Sequence, residues 1–384
     1  MVREEDSVKP RYASETLPHI KRVSRIKHAM LEQYLPSWVV ILGSGNRRMN
    51  YFDCFAGPGR YEFGGVAVDG SPVIAIKTAK QFLDAHPDHS VNILLTENNE
   101  TQARDLQQQL STLTPFPKNL NFELLVEDST TFIPDLLSKV PSLAPSFFMI
   151  DPYGHPLGLP IVNQILTRQR TEALITLMWY RINMDLSNPS VQGNVDRLFG
   201  DRGWREQSFL REKGIAREDG FLNYFISKLS AKYVLTFRIG YDPEDKIRGE
   251  RTNYYLLHAS NHPRAVLLMK EVMWPLGDED GTFDFSGESQ GVLISRTPQA
   301  DELRQILLRE FAGKELSFDD VREQTWKLPF IEKHYRSVIQ NLRSEGIVVV
   351  TPVSSKKTGL KRRDLIRFPK KAKVNDPAGG GEQV

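Results

Sequence analysis

The chain of 384 residues has a single cysteine, Cys54, which excludes an internal disulfide and any multi-cysteine metal cluster. It has no run of about 18 apolar residues, the length a membrane-spanning helix needs. The stretch from Met1 to Pro10 is charged rather than apolar, so neither a span nor a secretory signal is expected, and the predicted location is the cytoplasm. Its eight histidines show no metal-ligand spacing, no metal is predicted, and no internal repeat occurs. The glycine loop Gly57-Pro58-Gly59 lacks the third glycine of a dinucleotide fingerprint. No Lys-Ser or Lys-Thr follows it, as a phosphate-binding loop would require. Both absences count against nicotinamide dinucleotides and ATP as ligands.

What is present is an ordinary soluble composition, 40% hydrophobic and 26% charged, in a chain long enough for two domains. The net charge of +2 hides an asymmetry. Residues Arg296 to Val384 hold 18 Lys and Arg against 12 Asp and Glu, a balance of +6, which leaves −4 for the first 295 residues. A basic C-terminal module therefore follows an acidic body, and a polyanion and a merely solvated surface are both open readings of it.

Hydrophobic periodicity marks the body as α/β. Leu17, Ile20, Val23, Ile26, Met30, Leu31, Tyr34 and Leu35 recur at helical spacing ahead of the apolar run Tyr51-Phe52-Asp53, the first strand. Ser71-Pro72 reads as an N-cap and first helical position. Strands are predicted at Val91 to Thr96, Phe122 to Val126, Phe147 to Ile150 and Ala173 to Trp179, separated by helices at Thr101 to Leu110, Phe132 to Val140 and Leu159 to Leu166. This alternation implies a mainly parallel sheet covered on both faces. Tyr233 to Ile239 and Tyr254 to His258, with no helix between them, predict an antiparallel addition to it, and Ala265 to Trp274 a further helix.

Gly277 to Gly291 has linker composition, which places a domain boundary near residue 295. Beyond it, helices at Asp301 to Phe311, Phe318 to Glu323 and Ile331 to Ser344 precede β-rich segments at Ile347 to Val350 and Asp364 to Phe368. Three helices and a basic-tipped hairpin predict a winged helix-turn-helix over 296–369, with a disordered tail over 370–384. Tyr335, Arg336 and Arg343 on the third helix would face a nucleic-acid groove, and Lys356, Lys357, Lys361, Arg362 and Arg363 would meet phosphate from the wing. The same module also suits protein docking, and both readings stay open.

The strand ends carry the chemistry. Asp53 closes the first strand and leads into Phe55, Gly57 and Gly59, a loop whose backbone can approach a ligand. Glu97 follows the second strand, where a carboxylate can accept both ribose hydroxyls of a nucleoside. Asp128, after the third, would hold the amine of an adenine or cap the next helix. Asp151-Pro152-Tyr153-Gly154 leaves the fourth strand, offering an acceptor for an amine N–H and a ring for stacking on a planar base. Asn183, after the fifth, is a weaker candidate for the acceptor wall. His155 reads as a solvent-facing loop residue and Cys54 as a small core residue. Together these favour S-adenosylmethionine over nicotinamide or ATP.

Asp53-Cys54-Phe55-Ala56-Gly57-Pro58-Gly59, Gly70-Ser71-Pro72, Glu97 and Asp151-Pro152-Tyr153-Gly154 resemble the three-Cys-motif partner protein family, from about Lys21 to Phe368. The resemblance implies a class I methyltransferase-like domain over 1–295, a winged helix, and a partner protein bearing three cysteines. It also implies that Asp53, Gly57 and Gly59 line the methionine end of S-adenosylmethionine, Glu97 its ribose and Asp128 its adenine. Asp151, Pro152 and Tyr153 match the Asp-Pro-Pro-aromatic loop of amino-methyltransferases with one proline missing. The expected activity is methyl transfer to an amino group of a nucleobase in DNA or RNA, and the alternative is a non-catalytic adaptor.

Overall fold

The computed structural model describes residues 17–152, 154, 157–241, 251–277, 284–285, 300–353 and 359–370. It divides into two compact units, Met1–Leu276 with Asp284–Ser289 and Gly277–Phe283 with Gln290–Val384. The expected boundary at residue 295 and the tail beyond residue 370 lie outside the described residues.

In the first unit, α1 (Arg22–Gly43) precedes β1 (Arg48–Asp53), a hairpin of β2 (Arg60–Phe63) and β3 (Val66–Asp69), and α2 (Ser71–Ala85). The alternation continues through β4 (Ser90–Thr96), α3 (Glu100–Ser111), β5 (Leu120–Leu125), α4 (Ser129–Lys139), β6 (Ser146–Ile150), α5 (Leu159–Leu166) and β7 (Thr171–Leu177). Three helices follow, α6 (Trp179–Ser187), α7 (Gly193–Phe199) and α8 (Gly214–Ser227). The unit closes with β8 (Tyr233–Gly240), β9 (Thr252–Ser260), α9 (Pro263–Met273) and β10 (Asp284–Phe285).

Eight of these strands form one sheet in the order β10-β8-β9-β7-β6-β1-β4-β5. Neighbours from β5 to β7 pair in parallel, and β9 runs antiparallel between β7 and β8. This is the mainly parallel sheet with an antiparallel addition expected of a class I methyltransferase-like domain. The chain leaves β1 for β4 and β5 and then returns to the other side of β1 as β6. That reversal puts the topological switch point at the carboxyl ends of β1 and β6, the place where open α/β sheets bind ligands.

Burial explains the element boundaries. Phe147, Phe148, Met149 and Ile150 are all inaccessible to solvent, consistent with a strand covered on both faces. Trp179 opens α6 rather than ending β7, because Trp179, Ile182 and Leu186 form a buried stripe at helical spacing. Ser71 is the first residue of α2 and Gly70 its cap, since the Ser71 hydroxyl is turned to Asp53. Residues 17–20 lie ahead of α1 in extended form, where Ile20 N–H donates to Glu62 O at 3.0 Å and Glu62 N–H to Pro18 O at 2.9 Å. The hairpin itself is absent from the sequence expectations. Its turn, Gly64-Gly65, has φ of 59° and 83°, values glycine adopts without strain.

A buried carboxylate ties α1 to the sheet. Glu172 of β7 accepts from Tyr34 Oη at 2.6 Å and Trp38 Nε1 at 2.5 Å, both on α1, and bonds His258 Nε2 of β9 at 2.8 Å. Three donors offset the cost of burying the charge. They also fix where the second half of α1 stands.

The second unit contains α10 (Ala300–Glu310), β11 (Glu315–Ser317), α11 (Phe318–Gln324), α12 (Glu332–Ser344), β12 (Val349–Thr351) and β13 (Leu365–Arg367). Its antiparallel sheet has the order β11-β13-β12, and Leu303, Leu307, Phe318, Ile339, Leu342 and Ile366 pack its core. The winged helix-turn-helix stands as expected, with β11 added. Among the described residues no helix is long and apolar enough to cross a membrane.

Candidate cofactor and acceptor site

Asp53 ends β1, Glu97, Asp128 and Asp151 follow β4, β5 and β6, and all four share the carboxyl edge of the sheet. The glycine loop is held among them. Ala56 N–H donates to Thr96 O at 2.9 Å, and Cys54 N–H to Met149 O at 2.9 Å, so the loop is an extension of the sheet's own bonding. The Ser129 hydroxyl reaches Thr96 Oγ1 and Cys54 O, each at 2.5 Å, and closes the ends of β1 and β4 onto α4.

Gly57 and Gly59 have φ of 64° and 82°, which favours glycine at both places. A Cβ on Gly57 would lie 2.8 Å from the Tyr61 hydroxyl, and one on Gly59 would lie 2.6 Å from Leu106 Cδ1. The loop is thus a cradle with the hairpin on one side and α3 on the other. Glu97 fastens it by accepting Gly57 N–H at 2.9 Å on Oε2 and Asn99 N–H at 2.9 Å on Oε1. A carboxylate has about four acceptor positions, so each oxygen keeps one for a ligand hydroxyl.

Asp53 is buried. Its Oδ2 accepts from Tyr51 Oη at 3.1 Å, and the Phe55 amide approaches Oδ1 at 3.4 Å. Burial raises its pKa to about 7, against the bonds from Ser71, Phe55 and Tyr51 and with a further push from Asp151. Cys54 is buried, as expected, and burial holds its thiol well above the usual range.

Asp128 caps α4, with Oδ1 accepting Thr130 N–H at 2.8 Å. The capping reading is therefore realised, and Oδ1 is committed to it. Asp151 is half-buried beside the buried Pro152, and Gly154 N–H donates to Pro152 O at 3.1 Å. Tyr153 and His155 lie outside the described residues. Asn183 is half-buried on α6, and its Oδ1 has no hydrogen-bond partner among the described residues.

The residues absent from the sequence reading come from α1, the hairpin and β9. Lys27 Nζ donates to Asp151 Oδ2 at 2.5 Å and lies 5.5 Å from the Tyr254 ring centroid. His28 is 5% exposed, its Nδ1 has no partner among the described residues, and its ring is 5.6 Å from that of Tyr61. Burial, then the Lys27 cation, lower its pKa to about 4, so it is neutral at pH 7. Tyr61 has its hydroxyl pKa raised by burial and by Asp151, Asp53 and Glu97. A signal for Lys27 and His28 did exist, because Val23, Lys27, Met30 and Tyr34, with His28, Leu31 and Leu35, lie along the apolar arc of α1.

A cleft of about 660 Å³ lies at the opposite edge and includes Arg47, Arg48, His89 and Arg170. His89 Nε2 bonds Gly43 O at 2.9 Å and Asn46 Nδ2 donates to Leu42 O at 2.9 Å, so polar groups there cap the C-terminus of α1. It contains none of the motif residues.

In the winged helix, Tyr335 is buried, with its hydroxyl 2.8 Å from Thr325 Oγ1, so it is a core residue rather than a groove contact. Arg336 also differs from expectation. Its Nε and Nη2 donate to Glu332 Oε1 at 2.8 and 2.5 Å, its Nη1 donates to Leu360 O, and its guanidinium lies 5.0 Å from the Phe318 ring centroid. It ties α12 to α11 and the wing. Arg343, Arg362 and Arg363 are exposed, and Lys361 is half-buried with its N–H on Asp364 Oδ2 at 2.7 Å. Lys356 and Lys357 lie outside the described residues.

A family model for a GMT-like winged helix-turn-helix domain matches residues 277–355. No curated protein matches the chain. Among solved structures, a Legionella pneumophila protein of the DUF519 family aligns at 13% identity and TM-score 0.40, covering 65% of this chain and 91% of its own. A SAM-dependent methyltransferase from Agrobacterium tumefaciens aligns at 11% and 0.31, covering 62% of each chain. Human methyltransferase-like protein 13, in complex with SAH, aligns at 11% and 0.31, covering 66% of this chain and 90% of its own.

Proposed function

We propose that the protein is an S-adenosylmethionine-dependent methyltransferase acting on an amino group, with a nucleobase in DNA or RNA as the favoured acceptor. The observation that carries this reading is the row Asp53, Glu97, Asp128 and Asp151 along one edge of the sheet at its switch point. S-adenosylmethionine carries a sulfonium, an ammonium and one carboxylate, a net positive charge that suits an acidic edge. The phosphates of NAD or ATP would be repelled there.

Residue by residue, Asp53 would pair with the cofactor's ammonium, beside Phe55, Gly57 and Gly59. The open lone pairs of Glu97 would take the ribose hydroxyls, and Asp128 Oδ2 the adenine amine. The bound cofactor supplies the electrophilic methyl group. Asp151 would accept an N–H of the acceptor amine, aim its lone pair at that methyl group, and receive the proton the nitrogen sheds. Pro152 and Tyr153 would border the acceptor. Arg343, Arg362, Arg363 and Lys361, with Lys356 and Lys357, would hold the polymer.

A second reading is a cytoplasmic adaptor of the three-Cys-motif partner type, which docks a neighbour-encoded protein through its winged helix. Two observations favour it: Arg336 is spent inside the module, and Val349, Val353 and Leu365 are 57%, 61% and 36% exposed on its surface. Incubation of the full chain with methyl-labelled cofactor and separate DNA, RNA and protein pools decides between them. Label in a nucleic-acid pool supports the enzyme. Saturable cofactor binding without transfer to any pool, together with a stable complex with the three-cysteine protein, replaces it with the adaptor.

A further inference from the structure

Among the described residues, Lys27 brings a cation to the acidic edge. Lys27 and Asp151 are paired at 2.5 Å with side chains 14% and 18% exposed, and the Tyr254 ring lies beneath the ammonium. An ammonium has three donors, and among the described residues only Asp151 takes one. Around it stand Tyr61, whose hydroxyl borders the Gly57 cradle, and His28, whose buried Nδ1 has no partner among the described residues. A strip of groups able to donate hydrogen bonds therefore runs from the glycine loop to Asp151 along an edge otherwise lined with acids.

Two anions compete for that cation under the cofactor reading on which this inference rests. Asp151 is one, and the α-carboxylate of S-adenosylmethionine is the other. A carboxylate brought into a half-desolvated site without a counter-ion is strongly disfavoured, and the Lys27 ammonium 2.5 Å from Asp151 Oδ2 takes up acceptor capacity and space that an incoming amine would use. We propose that Lys27 is a shared counter-ion, which pairs with Asp151 before the cofactor binds and passes to the cofactor's α-carboxylate afterwards, freeing Asp151 for the acceptor amine. Lys27 can make this move because its stem is flexible and α1 is pinned from behind by Glu172. His28, neutral and buried beside it, offers a hydrogen bond to the arriving carboxylate without adding charge. The consequence is ordered assembly, with the cofactor ahead of the acceptor and the two sites coupled through one side chain.

The test needs no knowledge of the acceptor. Calorimetry with S-adenosylhomocysteine, which has the carboxylate, and 5′-methylthioadenosine, which lacks the amino-acid portion, is run on the full chain. Lys27→Met should weaken S-adenosylhomocysteine by about tenfold or more and leave methylthioadenosine nearly unchanged, a coupling of ordinary size. Lys27→Arg should recover part of the loss. Asp151→Asn should tighten S-adenosylhomocysteine, because Lys27 is no longer held, and should have no effect in a Lys27→Met background. That double variant is charge-balanced, so it keeps the comparison usable where Lys27→Met alone folds poorly. Equal losses for both ligands, or a weakening on Asp151→Asn, overturn the shared counter-ion while leaving the cofactor assignment standing. Failure of the unaltered chain to bind either ligand overturns both.

Discussion

Glu97 and Gly57 are joined by a 2.9 Å hydrogen bond from the glycine's amide to the carboxylate Oε2, which links the end of β4 to the loop after β1. The same carboxylate receives Asn99 N–H, so removing it strands the buried Gly57 amide and a part-buried one at Asn99. Glu97→Ala should cost about 1.5–3 kcal/mol of stability, the usual size for a hydrogen bond to a charged group. It should also weaken methylthioadenosine and S-adenosylhomocysteine alike, since the ribose is common to both. Thermal melts and calorimetry read the two effects separately. Unchanged affinity in a variant that has lost stability would make Glu97 a loop fastener only.

Asp53 sets a pH dependence of opposite sign to most carboxylates. Its pKa in the folded chain is about 7 against an ordinary 3.8, so between those values the folded state binds a proton that the unfolded state has lost. Stability should therefore fall as pH rises from about 4 to about 7 and then level off, by up to ~4 kcal/mol from this group. Asp53→Asn should flatten that slope and melt higher than the unaltered chain at pH 8. Ligand affinity should run the other way, strengthening toward pH 8 as Asp53 ionises to meet an ammonium. Denaturation at a series of pH values, with S-adenosylhomocysteine titrations at the same points, checks both signs.

His28 works against Asp53 in the same range. Its folded pKa of about 4 lies below the ordinary 6.5, so the unfolded chain takes up a proton first and stability is lost as pH falls from about 6.5 to about 4. The contribution is about 3 kcal/mol at its full extent. The two slopes partly cancel in the unaltered chain. They separate in variants, and His28→Gln should be the less acid-sensitive protein, measured as the change in melting temperature between pH 7 and pH 5.

The parts of the site carried by strand ends were readable in one dimension. Asp53 and Asp151 end apolar runs, and α5 matches its expected Leu159–Leu166 because Gly158 and Pro160 bracket the start. The Lys27–Asp151 pair spans 124 positions and depends on β6 returning beside β1, a fact of sheet order rather than of local pattern. Tyr61 was hidden for another reason: its hairpin was not expected from the sequence, and its pairing with residues 18–20 and the approach of its hydroxyl to Gly57 place it beside the loop. Asp128 allowed two readings, and the four-residue logic of helix capping selected one for its Oδ1.

Arg336 and Arg343 share α12 but should behave differently on substitution. The Arg336 guanidinium bonds Glu332 and Leu360 O, and Glu332 is also paired with Arg322 at 2.7 Å. Arg336→Ala would leave Glu332 half-served and the Leu360 carbonyl unpaired, so it should destabilise the winged helix by about 1–3 kcal/mol. Arg343→Ala and Arg362→Ala remove exposed side chains and should leave the melting temperature within about a degree, surface changes costing little. If the module holds DNA or RNA, these two exposed variants should weaken binding to a labelled oligonucleotide and lower its dependence on salt, by about one counter-ion for each phosphate no longer neutralised. If it docks a protein instead, Val353→Asp should break that complex while the arginine variants keep it, because the exposed apolar surface around Val349, Val353 and Leu365 would then carry the contact. The paired outcome, charge on one surface and apolar contact on the other, distinguishes the two partners without presupposing either.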